Sequence, residues 1–164
     1  MHRLLPFPLL LALACGGPTG GPGSARQPGA VELGVRRADG SFLEIGDLRG
    51  RVVVLFVFGT YDGTSQMAMT PLRELAEAHP EIAIVGIDVE PSARQLIGTF
   101  ERALTPPFPI TYDPDDRLIG GATELGVIDT VPTLVVLDAR GRERRRAVGL
   151  VTRQELERML AAAR

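Results

Sequence analysis

The chain has 164 residues, of which 45% are hydrophobic and 23% are charged, so it is long enough for one globular domain with a buried core and too short for two. Its formal net charge of −2 gives no electrostatic argument for nucleic-acid binding. All 18 basic residues are arginines, with only two histidines and one cysteine. This composition excludes lysine chemistry and nearly excludes metal sites and histidine-based triads, so we expect no metal and no cofactor.

Residues 1–14 are typical of a secretory signal, with a charged start, an apolar centre and small residues before Cys15. The apolar segment is too short to span a bilayer by itself. The sequence Ala-Leu-Ala-Cys ending at Cys15 resembles the lipobox of bacterial lipoproteins, although its first alanine stands where leucine is usual. A cleaved signal with an incidental cysteine is the alternative. We favour a lipoprotein signal with Cys15 acylated, because this is the only cysteine in the chain.

Residues 15–29 are rich in glycine and proline and have almost no apolar side chains, which predicts a flexible tether. Residues 30–164 then form the folded domain. This organisation predicts a cell-envelope protein, in the periplasm or on the extracytoplasmic face, held to a membrane by lipid on Cys15. Gly16, rather than Asp, after the cysteine favours the outer membrane under the sorting rule of some Gram-negative bacteria.

The domain begins with two short predicted strands around a turn at Asp39-Gly40. The run RVVVLFVF at 51–58 is apolar and rich in β-branched residues, which indicates a strand buried on both faces. A helix is predicted from about Thr64 to His79, with Met67 at core spacing and a kink expected at Pro71.

Further strands and helices alternate along the rest of the chain. This order predicts an α/β fold with a central mixed sheet flanked by helices on both faces. The predicted elements are a strand at 82–89, a helix at 92–104 capped by Ser92, a short extended piece at 108–113, a weaker helix at 115–125, a strand at 133–138, an edge strand at 142–150 whose arginines are solvated, and a final helix capped by Thr152 with Glu155 in the capping-box position.

These landmarks together resemble the thioredoxin-like superfamily, and within it the membrane-tethered TlpA/ResA-type thiol–disulfide oxidoreductases and redoxins. The stretch DLRGRVVVLFVFGTY resembles the strand that leads to the family's Trp-Cys-x-x-Cys motif. Val131-Pro132-Thr133 stands where the family has its cis-proline, and the segment that follows resembles the family's hairpin and last helix. The resemblance implies a thioredoxin-like fold with an N-terminal β-hairpin.

The family's redox groups are missing from this chain. In the alignment that the resemblance implies, Tyr61 replaces the tryptophan, Asp62 the first cysteine and Ser65 the second. Ala68 stands where many members carry a glutamate that assists proton transfer. Disulfide exchange needs an attacking thiolate and a resolving thiol, so we expect a redox-inactive protein with no catalytic residues.

Asp62 is predicted to cap the helix that follows, because a helix N-terminus favours an anion and aspartate is among the best N-cap residues. An Asp62/Ser65 hydrolase pair is disfavoured, since serine needs a strong base and an oxyanion site to act as a nucleophile. The resemblance implies a different use of this face. In the family the cis-proline loop holds an extended peptide, so the predicted binding residues are Tyr61, Asp62, Ser65, Thr130, Val131 and Pro132.

Three functions remain open from the sequence. The first is a redox-inactive binding or accessory protein of the envelope, whose partner is an envelope protein or an extended peptide. The second is a participant in envelope redox homeostasis that acts with a cysteine-bearing partner. The third is a mainly structural domain whose purpose is the tether.

Overall fold

The computed structural model describes residues 29–164, so the predicted signal at 1–14 and nearly all of the tether at 15–29 lie outside the described residues. Within 29–164, no helix combines the length and apolarity needed to cross a bilayer. The strands are β1 (Gly34–Arg37), β2 (Phe42–Glu44), β3 (Val53–Phe58), β4 (Ala83–Asp88), β5 (Ile110–Tyr112), β6 (Thr133–Leu137) and β7 (Glu143–Val148); the helices are α1 (Gly63–Ala78), α2 (Ala93–Leu104) and α3 (Arg153–Ala161), and a 3-10 turn covers Ile45–Leu48.

The seven strands form one mixed sheet in the order β2-β1-β5-β4-β3-β6-β7. The predicted N-terminal hairpin is present, with β1 antiparallel to β2. Strands β3 and β4 are parallel and buried along their whole length, which confirms the interpretation of the continuous apolar runs. Strand β6 pairs antiparallel with β3 on its other side, and β7 forms the edge. This is the α/β class that the sequence predicts.

The two faces of the sheet are covered differently. Helices α1, α2 and α3 all contribute buried side chains to the apolar cluster on one face. On the other face, the cluster is covered by the segment at 31–33, the 3-10 turn and the loop before β6, so the expectation of helices on both faces is met only by that short turn. The chain moves in one direction across the sheet from β3 to β4 to β5, and right-handed crossovers then place α1 and α2 on the same face.

Three local expectations differ from the structure. The segment 115–125 is a series of turns rather than a helix, because the Asp113 carboxylate accepts hydrogen bonds from the backbone at Asp115 and Leu118 and so fixes a loop. Helix α1 is continuous through Pro71, and the kink expected there stays a prediction. The side chain of Ser92 makes no capping hydrogen bond. Met67 is 62% exposed rather than part of the core.

Candidate functional site

The loop between β3 and α1 is shaped by Asp62, the N-cap residue of the helix. Its backbone is extended (φ −79°, ψ 116°), and its Oδ2 accepts a hydrogen bond from the backbone N–H of Ser65 at 2.6 Å. Hydrogen bonds from the Ser65 side chain and backbone N–H, helped by the N–H of Thr64, hold the pKa of Asp62 below its usual range. Asp62 is therefore an anion anchored to the helix start, with little basicity to offer a reaction.

The next two positions of the site face the interior. Ser65 is fully buried, and its Oγ accepts a hydrogen bond from the N–H of Gly59 at 3.4 Å. Ala68 is also fully buried and brings no proton-carrying group. Neither residue presents a reactive atom to solvent, so the chemistry left on this part of the surface is that of Tyr61, which is 77% exposed, and of the Asp62 carboxylate.

Glu90, which the sequence interpretation missed, holds the loop from the neighbouring strand. Its carboxylate accepts hydrogen bonds from the Thr60 hydroxyl at 2.7 Å and from the backbone N–H of Tyr61 at 3.2 Å. A Cβ at Gly59 would lie 2.7 Å from Glu90 Oε1, so the absent side chain leaves room for this carboxylate. The signal was present in the sequence: β3 and β4 are parallel, and an acid just after β4 must emerge beside the end of β3.

Asp88, the last residue of β4, is a second carboxyl group that the sequence interpretation missed. It is completely buried; its Oδ1 accepts from the N–H of Glu90 at 3.0 Å, and its Oδ2 has no hydrogen-bond partner among the described residues. Burial, with a smaller contribution from the negative charge of Glu90, raises the pKa of Asp88 to about 7. Asp88 is therefore a buried carboxyl group at the end of β4, paired in register with Phe58, the last residue of β3.

The cis-proline loop lies at the same end of the strands as the loop after β3, because Val57 of β3 lies opposite Thr133 of β6. The Val131–Pro132 peptide bond is cis. Thr133 Oγ1 donates to the carbonyl of Thr130 at 2.6 Å, which ties the loop to the start of β6. Among residues 29–164, neither the backbone N–H nor the carbonyl of Val131 has a hydrogen-bond partner.

The structure thus brings the two predicted parts of the site to one edge but exposes them unequally. Tyr61 and Thr130 are exposed, and Asp62 and Val131 are half-buried. Ser65 and Pro132 are buried and support the loops from beneath rather than facing solvent. No group of three or more acidic, histidine or cysteine side chains in the described part of the chain is arranged to hold a metal ion.

A parallel strand pair leading into a helix N-terminus, with a cis-proline loop beside it, defines a thioredoxin-like fold. No protein-family model matches the chain. It is similar to the thiol-disulfide oxidoreductase ResA of Bacillus cereus, with 24% identity over 121 residues that make up 73% of this chain and 67% of that protein.

Two solved structures illustrate the likeness in fold. A DsbF homologue from Corynebacterium diphtheriae superposes with a TM-score of 0.73 at 22% identity, covering 88% of this chain and 95% of that one. The pneumococcal exposed lipoprotein thioredoxin Etrx1 from Streptococcus pneumoniae superposes with a TM-score of 0.67 at 14% identity, covering 79% and 98%.

Proposed function

We propose that this chain is an extracytoplasmic, lipid-anchored protein of thioredoxin fold that binds an extended peptide and performs no thiol–disulfide exchange. The names of its relatives support the location, since one structural neighbour is described as an exposed lipoprotein thioredoxin. The sequence ending at Cys15 supports the anchor. The geometry of the site supports peptide binding and not thiol–disulfide exchange.

The absence of exchange follows from what stands at the two cysteine positions. Asp62 is tied to the helix N-terminus by a 2.6 Å hydrogen bond, and Ser65 is buried. Exchange begins with attack by a thiolate on a disulfide sulfur, and a carboxylate and a buried hydroxyl do not perform that reaction. The single cysteine, Cys15, belongs to the proposed anchor.

Peptide binding rests on one observation: among the described residues, the backbone N–H and carbonyl of half-buried Val131 have no hydrogen-bond partner. A peptide in extended conformation pairs with such groups as an added strand. Tyr61, with most of its ring exposed beside this loop, supplies an aromatic surface of the kind that dominates interface energetics.

The redox part is tested by insulin reduction with dithiothreitol. We expect the natural chain to give only the background rate, and the double variant Asp62→Cys/Ser65→Cys, which restores the cysteine spacing, to give turnover. The matched control is Asp62→Ala/Ser65→Ala. Turnover by the natural chain clearly above that control would contradict the proposal.

The binding part is tested with a peptide array, followed by titration calorimetry on the best peptide. We expect N-methylation of one peptide amide, the donor to the Val131 carbonyl, to weaken binding about tenfold or more, and Tyr61→Ala to weaken it similarly. Phe42→Ala is the control, because Phe42 is an exposed aromatic residue on β2, which is an edge strand of the sheet, three strands away from β4. Equal losses for the two substitutions would place the peptide elsewhere.

A second candidate is favoured by the similarity to ResA: the chain takes part in envelope redox homeostasis by holding a cysteine-bearing partner. Affinity purification under non-reducing conditions should then recover a protein with a reactive thiol or disulfide. Its recovery should decrease with Tyr61→Ala and remain unchanged with Phe42→Ala. Recovery of no such protein would leave the simple peptide-binding function.

A further inference from the structure

The hairpin formed by β6, β7 and the turn between them concentrates positive charge on a chain that is net negative. Residues 138–146 contain five arginines and two acidic residues, whereas the whole chain has a formal net charge of −2. One of these acids, Asp138, is engaged in the turn itself, because its Oδ1 accepts from the backbone N–H of Arg140 at 2.9 Å and of Arg142 at 3.1 Å.

One of the five arginines is neutralised locally. Arg146 forms a two-pronged ion pair with Glu143 at 2.8 Å and also donates to a backbone carbonyl. The other four have weak partners or none among residues 29–164: two make no side-chain hydrogen bond or ion pair, one donates only to a backbone carbonyl, and one lies 3.9 Å from the carboxylate of Asp138. These four, called the hairpin arginines, are Arg140, Arg142, Arg144 and Arg145.

The described chain begins against this same turn. The N–H of Val31 donates to the carbonyl of Gly141 at 2.8 Å, so the segment that leads back to Cys15 leaves the domain beside the hairpin arginines. Between Cys15 and Gly29 a chain extends at most about 50 Å. An acyl group on Cys15 would therefore keep the hairpin near the bilayer.

The turn of the hairpin and the candidate site lie at opposite ends of strand β6. Strand β6 starts at Thr133, next to the cis-proline loop, and ends at Leu137, where the turn begins. Its five residues separate the cis-proline loop from the turn by roughly 17 Å, and Arg145, which lies opposite Val136, is the hairpin arginine nearest to the site. A surface that contacts the hairpin tip therefore leaves the loop at Tyr61 facing the other way.

We propose that the hairpin arginines dock on anionic phospholipid headgroups of the membrane that holds the anchor, and that this contact turns the candidate site away from the bilayer. Guanidinium groups bind phosphate oxygens in a two-pronged manner, and a negatively charged bilayer attracts nearby basic residues. The orientation rests on the proposed anchor and site, whereas the headgroup contact does not.

The contact is tested by sedimentation with vesicles. The protein is the chain from residue 15 with Cys15→Ser, which retains the whole sheet and both apolar clusters but carries no acyl group. We expect it to bind vesicles of 30% phosphatidylglycerol in phosphatidylcholine and not pure phosphatidylcholine, with binding lost as salt is raised. Each exposed hairpin arginine changed to glutamine should lower the partition coefficient about fivefold.

The matched comparison is between two triple variants with the same change in net charge. Arg140→Gln/Arg144→Gln/Arg145→Gln should lose vesicle binding, whereas the triple replacement of three exposed helix arginines by glutamine should retain it; unchanged thermal unfolding shows that both remain folded. Equal losses, or equal binding to both vesicle types, would overturn the proposal. The helix arginines are Arg94, Arg102 and Arg158.

The orientation is tested on the acylated protein in vesicles that contain a headgroup-linked quencher. With Cys15 blocked by the acyl group, a fluorophore is attached at Ala139→Cys, in the turn, or at Thr64→Cys, at the start of α1. We expect stronger quenching at position 139, and equal or reversed quenching would overturn the orientation. If the natural chain carries no lipid while the unacylated chain still binds anionic vesicles, the anchor is wrong and the headgroup contact stands.

Discussion

Two aspartates stand at the ends of neighbouring parallel strands and occupy opposite electrostatic environments. Asp62, after β3, lies at the start of α1, and hydrogen bonds from Ser65 lower its pKa. Asp88, at the end of β4, is buried, and desolvation raises its pKa to about 7. The difference follows from contact with water: Asp62 is half-buried and accepts hydrogen bonds from the side chain and backbone of Ser65, whereas Asp88 is completely buried and accepts only from the N–H of Glu90. At Asp88, removal from water destabilises the charged form of the carboxyl group.

The largest effect that tests this comparison is the pH dependence from Asp88. Its folded-state pKa of about 7 lies above the usual value of 3.8, so between these values the native state binds more protons than the unfolded state. The free energy of unfolding should therefore fall as pH rises from about 4 to 7, by up to about 4 kcal/mol, and level off above. Denaturant melts across this range measure it.

The matched variant is Asp88→Asn, which does not titrate and should flatten the profile. It should unfold at higher denaturant concentration than the natural chain at pH 8 and lose that advantage at pH 5. A natural chain whose stability does not change between pH 4 and 8 would contradict the burial of a titrating carboxyl group.

Glu90 couples the two regions, and its removal should have an intermediate effect. Glu90→Ala deletes the acceptor for Thr60 and Tyr61, so we expect a loss of about 1–3 kcal/mol at pH 5. At pH 8 the loss should be smaller, because the substitution also removes a negative charge that raises the pKa of Asp88. Equal losses at the two pH values would show that the carboxyl groups do not interact.

The smallest expected effect is that of the cap. Asp62→Ala should lower the free energy of unfolding by about 0.5–2 kcal/mol, and Asp62→Asn, also a good cap, by less. Ser92→Ala is the control at the start of α2, where the side chain makes no capping hydrogen bond, so the change should stay within about 0.5 kcal/mol. If Asp62→Ala matched this control in thermal or denaturant melts, the cap would contribute nothing.

Much of the fold could be read from the sequence because its signals are local. Residues 53–58 of the predicted strand at 51–58 form a fully buried strand, and Asp62 and Thr152 cap their helices as predicted. The expectation of a helix was wrong where a side chain just before the segment binds its backbone N–H groups and so competes with the helix. The segment 115–125 has a helix-like pattern, yet hydrogen bonds to Asp113 hold it as a loop.

The sequence by itself determined the order of the seven strands and of α1, α2 and α3, the absence of cysteine from the loop before α1 and the anion at the start of that helix, because each depends on residue type within one short segment. Only the tertiary structure decided that Glu90 holds the site loop and that Asp88 is buried at the end of β4, since strand pairing brings β4 beside β3. The tertiary structure also placed the hairpin turn beside the start of the described chain, at the opposite end of β6 from the site. Strand pairing fixes which of these residues lie close together, and their separation along the sequence does not predict that proximity.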